Sequence, residues 1–353
     1  MKKAYEGLLI FIDNENNETD NFQNLNKTFQ DIQIRDDRNN LRLFLHLIVN
    51  VSNNHHRGAT FFNKIDQILK YFEEDIKNYF SNSELFIIFA SNKRLLLFLI
   101  EEKIMNIDEY VVKRIITYKY VEKKYPQYFA PEILPFVNEK WFPKFIDDDE
   151  KQKKVFYFFM DKNEWVKEIK KELPDDFYEK RKKGENDSCI SKLIQEDSIM
   201  DFIRYVNQNN VLLKSTIEPS IYETNSFLIQ RNKSKSGITL IEYAAFKGSI
   251  QIFNYLKNNG VEMTPSLWYY SIHGNNTEII HLLEENHIEP TITNNNIYGK
   301  YKTKSYKECF SESIKCNHND IANYILNKYL QNRKVISSET IFYSLKYYNF
   351  CLG

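Results

Sequence analysis

Three groups of residues in this sequence have side chains that can do chemistry. The first is His55–His56, flanked by Asn53 and Asn54. Two adjacent imidazoles could begin a zinc site, but further ligands at a workable spacing are needed and none lies nearby in sequence. The pair therefore reads as part of an exposed loop. The second is Cys309…Cys316-x-His318. Its donors suit zinc, yet the gap between the thiols and the missing fourth ligand do not fit a structural zinc site. Cys316 and His318 read instead as residues flanking a turn between helices. The third is His281 and His287, with Glu284 and Glu285 between them. No H-E-x-x-H is formed, so a metalloprotease reading fails.

Phosphate and acyl chemistry find no foothold either. No G-x-x-x-x-G-K-[ST], G-x-G-x-x-G or G-x-S-x-G occurs, and 9 glycines leave little room for a phosphate-cradling loop. Asp147–Asp149 and Glu150 precede Lys151, Lys153 and Lys154, which reads as a solvated helix start with its acids near the N-terminus. Tyr298, Lys300, Tyr301, Lys302, Lys304, Tyr306 and Lys307 mix cations and rings that could pair phosphates and stack bases. Arg231, Lys233 and Lys235 form a second basic loop. Against both stands the charge balance, Lys plus Arg 48 and Asp plus Glu 48, which is poor for a general nucleic-acid binder.

The elements that would position these residues are helices. The chain has 353 residues, 42% hydrophobic and 15% aromatic, with few Gly and Pro. That composition excludes disorder and turn-dense all-β folds. No apolar run reaches the ~18 residues of a membrane span. The stretch 8–12 after Lys2 and Lys3 is too short for a signal-peptide core. Cys189, Cys309, Cys316 and Cys351 do not make a disulfide framework at this length. The expectation is a soluble, intracellular, largely helical protein, cytoplasmic, with a nuclear location left open.

Periodicity predicts helices over 2–12 and 21–34. Leu41, Phe44, Leu45 and Ile48 share one face, as do Ile65, Ile68, Leu69, Phe72, Ile76 and Phe80, with a turn at 52–58 between the two runs. Two short helices follow at 85–89 and 95–100, then one over 110–118 capped by Asp108. Pro126, Pro131, Pro135 and Pro143 mark either a connector or a set of short helices, 151–173 another helix or two, and 175–187 a charged linker or exposed helix.

From Cys189 onward a pattern of short helix, turn and longer helix recurs. Its clearest copy is Gly237-Ile-Thr-Leu-Ile-Glu-Tyr-Ala-Ala-Phe-Lys-Gly248, followed by Ile252, Phe253, Leu256 and Gly260. Thr239 is the expected N-cap and Ala244 and Ala245 allow close packing. Gly248 supplies positive φ at the turn. The next copy places Gly274 26 residues after Gly248, and a third places Asn317 at the same turn. A degenerate copy runs from about Ile190 to Val206, and 85–102 fits most weakly, with Asn92 at its turn. This segment resembles the ankyrin repeat, G-x-T-P-L-H-x-A-A-x-x-G then I-V-x-x-L-L-x-x-G, with Leu240 at the usual Pro and Glu242 at the usual His. Spacing departs from the regular repeat because of insertions at 212–236 and 290–305. Over 186–330 the chain resembles a large, divergent protist family of ankyrin-repeat proteins, and 92–103 looks similar to the same family. The words carrying the resemblance are Glu218-Pro-Ser-Ile-Tyr-Glu-Thr-Asn-Ser-Phe-Leu, the Gly237 copy, Leu282-Leu-Glu-Glu-Asn-His-Ile-Glu-Pro and Ser313-Ile-Lys-Cys-Asn-His-Asn-Asp-Ile-Ala-Asn-Tyr.

The resemblance implies an all-α fold: an ankyrin-type helical-hairpin solenoid over 186–353 and an α-helical region over 1–180, built from degenerate repeats. It implies no catalytic residue, cofactor, metal or small-molecule substrate. A solenoid presents an extended concave face, so the expected activity is non-enzymatic binding of a protein partner. The recognition candidates are Glu242, Phe246, Lys247, Trp268, Ile272 and His273, with Glu242 beside Trp268, Phe246 beside Ile272 and Lys247 beside His273. Their alternative fate is burial under the insertions. The alternative functions are an enzyme within 1–180, or nucleic-acid contact through the two basic loops.

Overall fold

Short polar side chains set many helix starts in this chain, and left-handed residues set many of the ends. The computed structural model describes residues 1–14, 18–118, 124–136, 173–232, 237–296, 299–304, 306–330 and 336–349. The acidic run at 147–150, residues 151–172 of the helix expected over 151–173, Cys351, Tyr298 and residues 233–236 lie outside the described residues. Regular structure is mostly α-helical, and no helix among the described residues is long and apolar enough to cross a membrane.

The chain opens with α1 (Lys2–Asp13), α2 (Glu18–Asp31) and α3 (Arg38–Asn54). Asp37 caps α3 by accepting from the Asn39 N–H. The helix expected to carry Ile65 through Phe80 is two, α4 (Phe61–Tyr71) and α5 (Glu73–Tyr79). Glu73, Glu74 and Asp75 form the first turn of α5, where negative charge favours a helix start. Next come α6 (Asn82–Phe89), opened by a Ser81–Glu84 capping box, and α7 (Lys93–Glu101), capped by Asn92. Asn92 has φ −128, so this turn lacks the left-handed residue of the ankyrin template. Asp108 caps α8 (Glu109–Thr117) as expected. Two single turns, α9 (Tyr125–Tyr128) and α10 (Ala130–Ile133), occupy the proline-rich stretch, and α11 (Phe177–Lys183) follows.

Four helix pairs then succeed one another: α12 (Cys189–Gln195) with α13 (Ile199–Gln208), after which comes the lone α14 (Ser226–Arg231); α15 (Leu240–Lys247) with α16 (Ile250–Asn258); α17 (Leu267–His273) with α18 (Thr277–Glu285); and α19 (Tyr306–Cys316) with α20 (Asn319–Tyr329). The last helix is α21 (Ile336–Lys346). α12 packs on α15, α15 on α17 and α17 on α19, while α13 packs on α16. Thr239 and Glu242 form a capping box at the start of α15. The residue turning the chain inside each pair is left-handed: Asp197, Gly248, Asn275 and Asn317, with φ from 47 to 71. Gly248 and Asn317 do what their types suggest. Gly274 does not, for its φ is −78 and the left-handed turn falls to Asn275. Gly274 is required for another reason: a Cβ there would lie 2.5 Å from the Phe246 carbonyl oxygen and 2.7 Å from that of Ala245.

Two small ladders interrupt the helices. β1 (Thr216–Ile217) pairs antiparallel with β2 (Ile238–Thr239), Thr216 facing Thr239. β3 (Thr291–Asn296) pairs antiparallel with β4 (Gly299–Lys304), so the insertion at 290–305 is a hairpin where only a loop was expected.

The chain forms two compact units, Met1–Ile65 with Asn186–Ser220 and Asn225–Gly353, and Asp66–Glu185 with Ile221–Thr224. One border between the units falls between Glu185 and Asn186. The first segment does not belong with its sequence neighbours. It joins the helix pairs because Asn50 bonds the Tyr347 carbonyl (2.5 Å), His55 the Cys316 carbonyl (2.7 Å) and Asn319 the Tyr5 hydroxyl (3.3 Å). The smaller unit is tied by buried forks. Arg181 meets Glu132 through both Nη atoms (2.8 and 3.0 Å), and Arg94 meets Asp66 in the same manner.

Candidate functional site

The six residues expected to form a recognition patch are brought together, but not as a surface. Trp268 and Ile272 are 0% exposed, His273 1% and Phe246 9%. Burial of these four corrects the reading of them as partner-facing side chains. Trp268 packs edge-on against Tyr306 and Tyr329 and donates from Nε1 to the Ile288 carbonyl at 2.7 Å. Glu242 spends its carboxylate on the helix start: Oε2 accepts from the Thr239 N–H at 2.9 Å and Oε1 from the Ser266 hydroxyl at 2.5 Å. Lys247 stays half-buried, its Nζ near the Tyr243 and Phe246 rings.

What covers the first helices is the chain itself. Asn225 caps α14, accepting from the N–H groups of Phe227 and Leu228. Ser226 anchors it to α3, donating to Asn54 Oδ1 at 2.7 Å. Phe227 then stacks on His273 with ring centroids 3.9 Å apart, parallel to Phe246 at 6.1 Å and edge-on to Tyr270. Arg231 lies over Phe227, Tyr269 and Tyr270. Phe246 is therefore buried by the insertion at 212–236, the alternative fate foreseen for it.

Two clusters of titratable groups meet behind that cover. In the first, Cys316 Sγ is 3.2 Å from His273 Nδ1, and His273 Nε2 is 2.5 Å from Glu312 Oε1. Thiol, imidazole and carboxylate stand in the order of a nucleophilic triad. Burial opposes that chemistry. It pushes the Cys316 thiol far up and the His273 imidazole down. Burial also works to raise Glu312, but His273 and Lys315 outweigh it and hold the carboxyl far below the usual range.

The second cluster draws on three distant parts of the chain. His55 and His56 follow the end of α3, His318 immediately precedes α20, and Asp13 ends α1. The three imidazole centroids lie 4.3, 4.9 and 5.1 Å apart. His55 Nε2 is 2.8 Å and His56 Nε2 3.6 Å from Asp13 Oδ1. This corrects the exposed-loop reading of the pair: α3 runs on to Asn54 and carries His55 into the interior, 2% exposed. Burial, with His55 beside it, pushes His56 down to about 4, and burial drives His318 well below its ordinary value. Burial would raise Asp13, but the bond to His55 and the neighbouring His55, His56 and Lys64 outweigh it and lower the carboxyl. No local motif could have revealed this cluster, because its members are far apart in sequence.

No family model, curated protein or solved structure matches this chain.

Proposed function

We propose that this chain is a non-enzymatic interaction module of the ankyrin-repeat kind, its helix pairs forming a short solenoid that binds a protein partner in the cytoplasm or nucleus. The observation that supports this is the stacking of first helix on first helix through α12, α15, α17 and α19, with a left-handed residue inside every pair. Such stacking gives an array its long recognition face. On this reading α14 is a built-in occupant of that face, with Phe227 seated where a partner's aromatic anchor would sit. Partner contact then falls on the rim, where Lys247 remains within reach.

Cross-linking of the full chain to its cellular partner, mapped by mass spectrometry, tests the reading. Cross-links should centre on Lys247 and the residues of α14, and Lys247→Glu should reduce partner capture by about tenfold with the fold unchanged. A partner bound with undiminished affinity by both Lys247→Glu and Phe227→Ala would refute it.

A further inference from the structure

The His55–His56–His318 cluster has the makings of a metal site. The ring atoms able to ligate all lie within 4.8 Å of one another. A tetrahedral ion with bonds of about 2.0–2.1 Å holds its ligands roughly 3.3 Å apart. Asp13 stands beside the group, its Oδ1 2.8 Å from His55 Nε2 and 3.6 Å from His56 Nε2.

Hydrogen bonding orients the rings for this task. His55 Nδ1 donates to the Cys316 carbonyl at 2.7 Å, which turns Nε2 toward Asp13 and the other two rings. His318 Nε2 faces the His273 carbonyl at 3.4 Å, leaving Nδ1 for an ion. Imidazole ligands of metals commonly hold a backbone carbonyl with their second nitrogen in this way. One ring atom is left over: His56 Nδ1 is buried and has no hydrogen-bond partner among the described residues.

We propose that His55, His56 and His318 hold a divalent transition-metal cation of the zinc class, with the Asp13 carboxylate standing beside His55 and His56. Neutral imidazole is the binding form. Three imidazoles suit a borderline cation better than calcium or magnesium, which take all-oxygen shells. The ion would tie the end of α3 to the turn between α19 and α20. Its role is a structural staple, not a reaction centre.

The test uses the full-length chain stripped with a chelator and then titrated with zinc alone or cobalt alone. One zinc per chain should bind, with a melting temperature several degrees higher. Cobalt should give the visible bands of a tetrahedral nitrogen–oxygen site. His56→Ala, at a position where the side chain is 30% exposed, should weaken zinc binding at least ~100-fold, and Asp13→Asn about tenfold. Absence of binding to the wild-type chain would overturn the proposal. So would a sulfur-to-cobalt charge-transfer band, which would place the ion on Cys316 and His273 instead. Undiminished zinc affinity in folded His56→Ala would overturn it too. Should His56→Ala fail to fold, the wild-type cobalt spectrum decides alone, tetrahedral bands without a sulfur band supporting the site and any other result refuting it.

Discussion

Gly274→Ala isolates one steric fact about how the helix pairs meet. The added methyl carbon would stand 2.5 Å from the Phe246 oxygen, 2.7 Å from the Ala245 oxygen and 3.0 Å from the Phe246 carbonyl carbon. Carbon and carbonyl oxygen rest at about 3.3 Å or more, so α17 and the end of α15 must part by roughly 0.8 Å. Both obstacles are backbone and cannot rotate away. α17 offers no slack, because every residue from Leu267 to His273 is buried. Backbone conformation adds nothing to the penalty, since φ −78 suits any residue. Overpacking of this kind costs about 1–3 kcal/mol, and the upper end is expected here. Gly260→Ala is the matched control, with φ +79 and nothing within 4 Å of the new Cβ. It should lose about 1 kcal/mol, from backbone strain alone. In a unit of roughly two hundred residues these losses lower the melting temperature by roughly 6–12 °C and 2–4 °C. Calorimetry would measure both, with amide exchange in α17 identifying the transition. A Gly274→Ala chain within 1 kcal/mol of wild type, or a Gly260→Ala chain that is the less stable of the two, would refute the steric argument.

Three further outcomes are expected. Asp197→Gly keeps the left-handed turn but removes a carboxylate that accepts from the Gln251 and Ile252 N–H groups at 3.0 Å. Stability should fall by about 1 kcal/mol, and those two amides should exchange faster. Glu284 joins α18 to α20, accepting from Tyr329 (2.5 Å), Tyr324 (2.8 Å) and Lys328 (2.9 Å). Burial would raise its pKa, but these bonds together lower it below 4.5. A depressed carboxyl contributes stability above its ordinary pKa and loses it as pH falls through that value. Glu284→Gln should therefore cost about 2 kcal/mol near neutrality, and the gap to wild type should close below about pH 4 in urea titrations. Finally, a thiol reagent should modify Cys189, which is exposed, and spare Cys309 and Cys316, which are buried and whose thiols burial pushes far up. Modification of either in the native chain would show that the interior opens.

Local signals carried far in this sequence. The Thr239 cap, the Asp108 cap, the turns at Gly248 and Asn317 and the helices around them were legible because each depends on residues a few positions away. The break at Phe72 was less so, since its apolar spacing runs straight through and only the acids at Glu73–Asp75 hint at a new start. Gly274 misled for a different reason: glycine signals either left-handed backbone or close approach, and sequence cannot say which. The candidate site was illegible. Whether Trp268 faces a partner or the core is decided by Tyr306 and Tyr329, and the fate of Phe246 by Phe227. His55 and His318 likewise look unrelated until α3 is laid against the last pair.

The interleaving of Met1–Ile65 with the helix pairs has a consequence for biosynthesis. His55 and its acceptor Cys316 are 261 residues apart, and Asn50 and Tyr347 are 297 apart. Translation at about 5–20 residues per second puts roughly ten to sixty seconds between the making of such partners. Throughout that interval α3 lacks its packing partners α14 and α19. The smaller unit, encoded between, is finished sooner apart from Ile221–Thr224. The nascent chain thus carries an unfinished apolar helix ahead of a nearly complete domain, a circumstance that favours engagement by chaperones until α19 and α21 leave the ribosome.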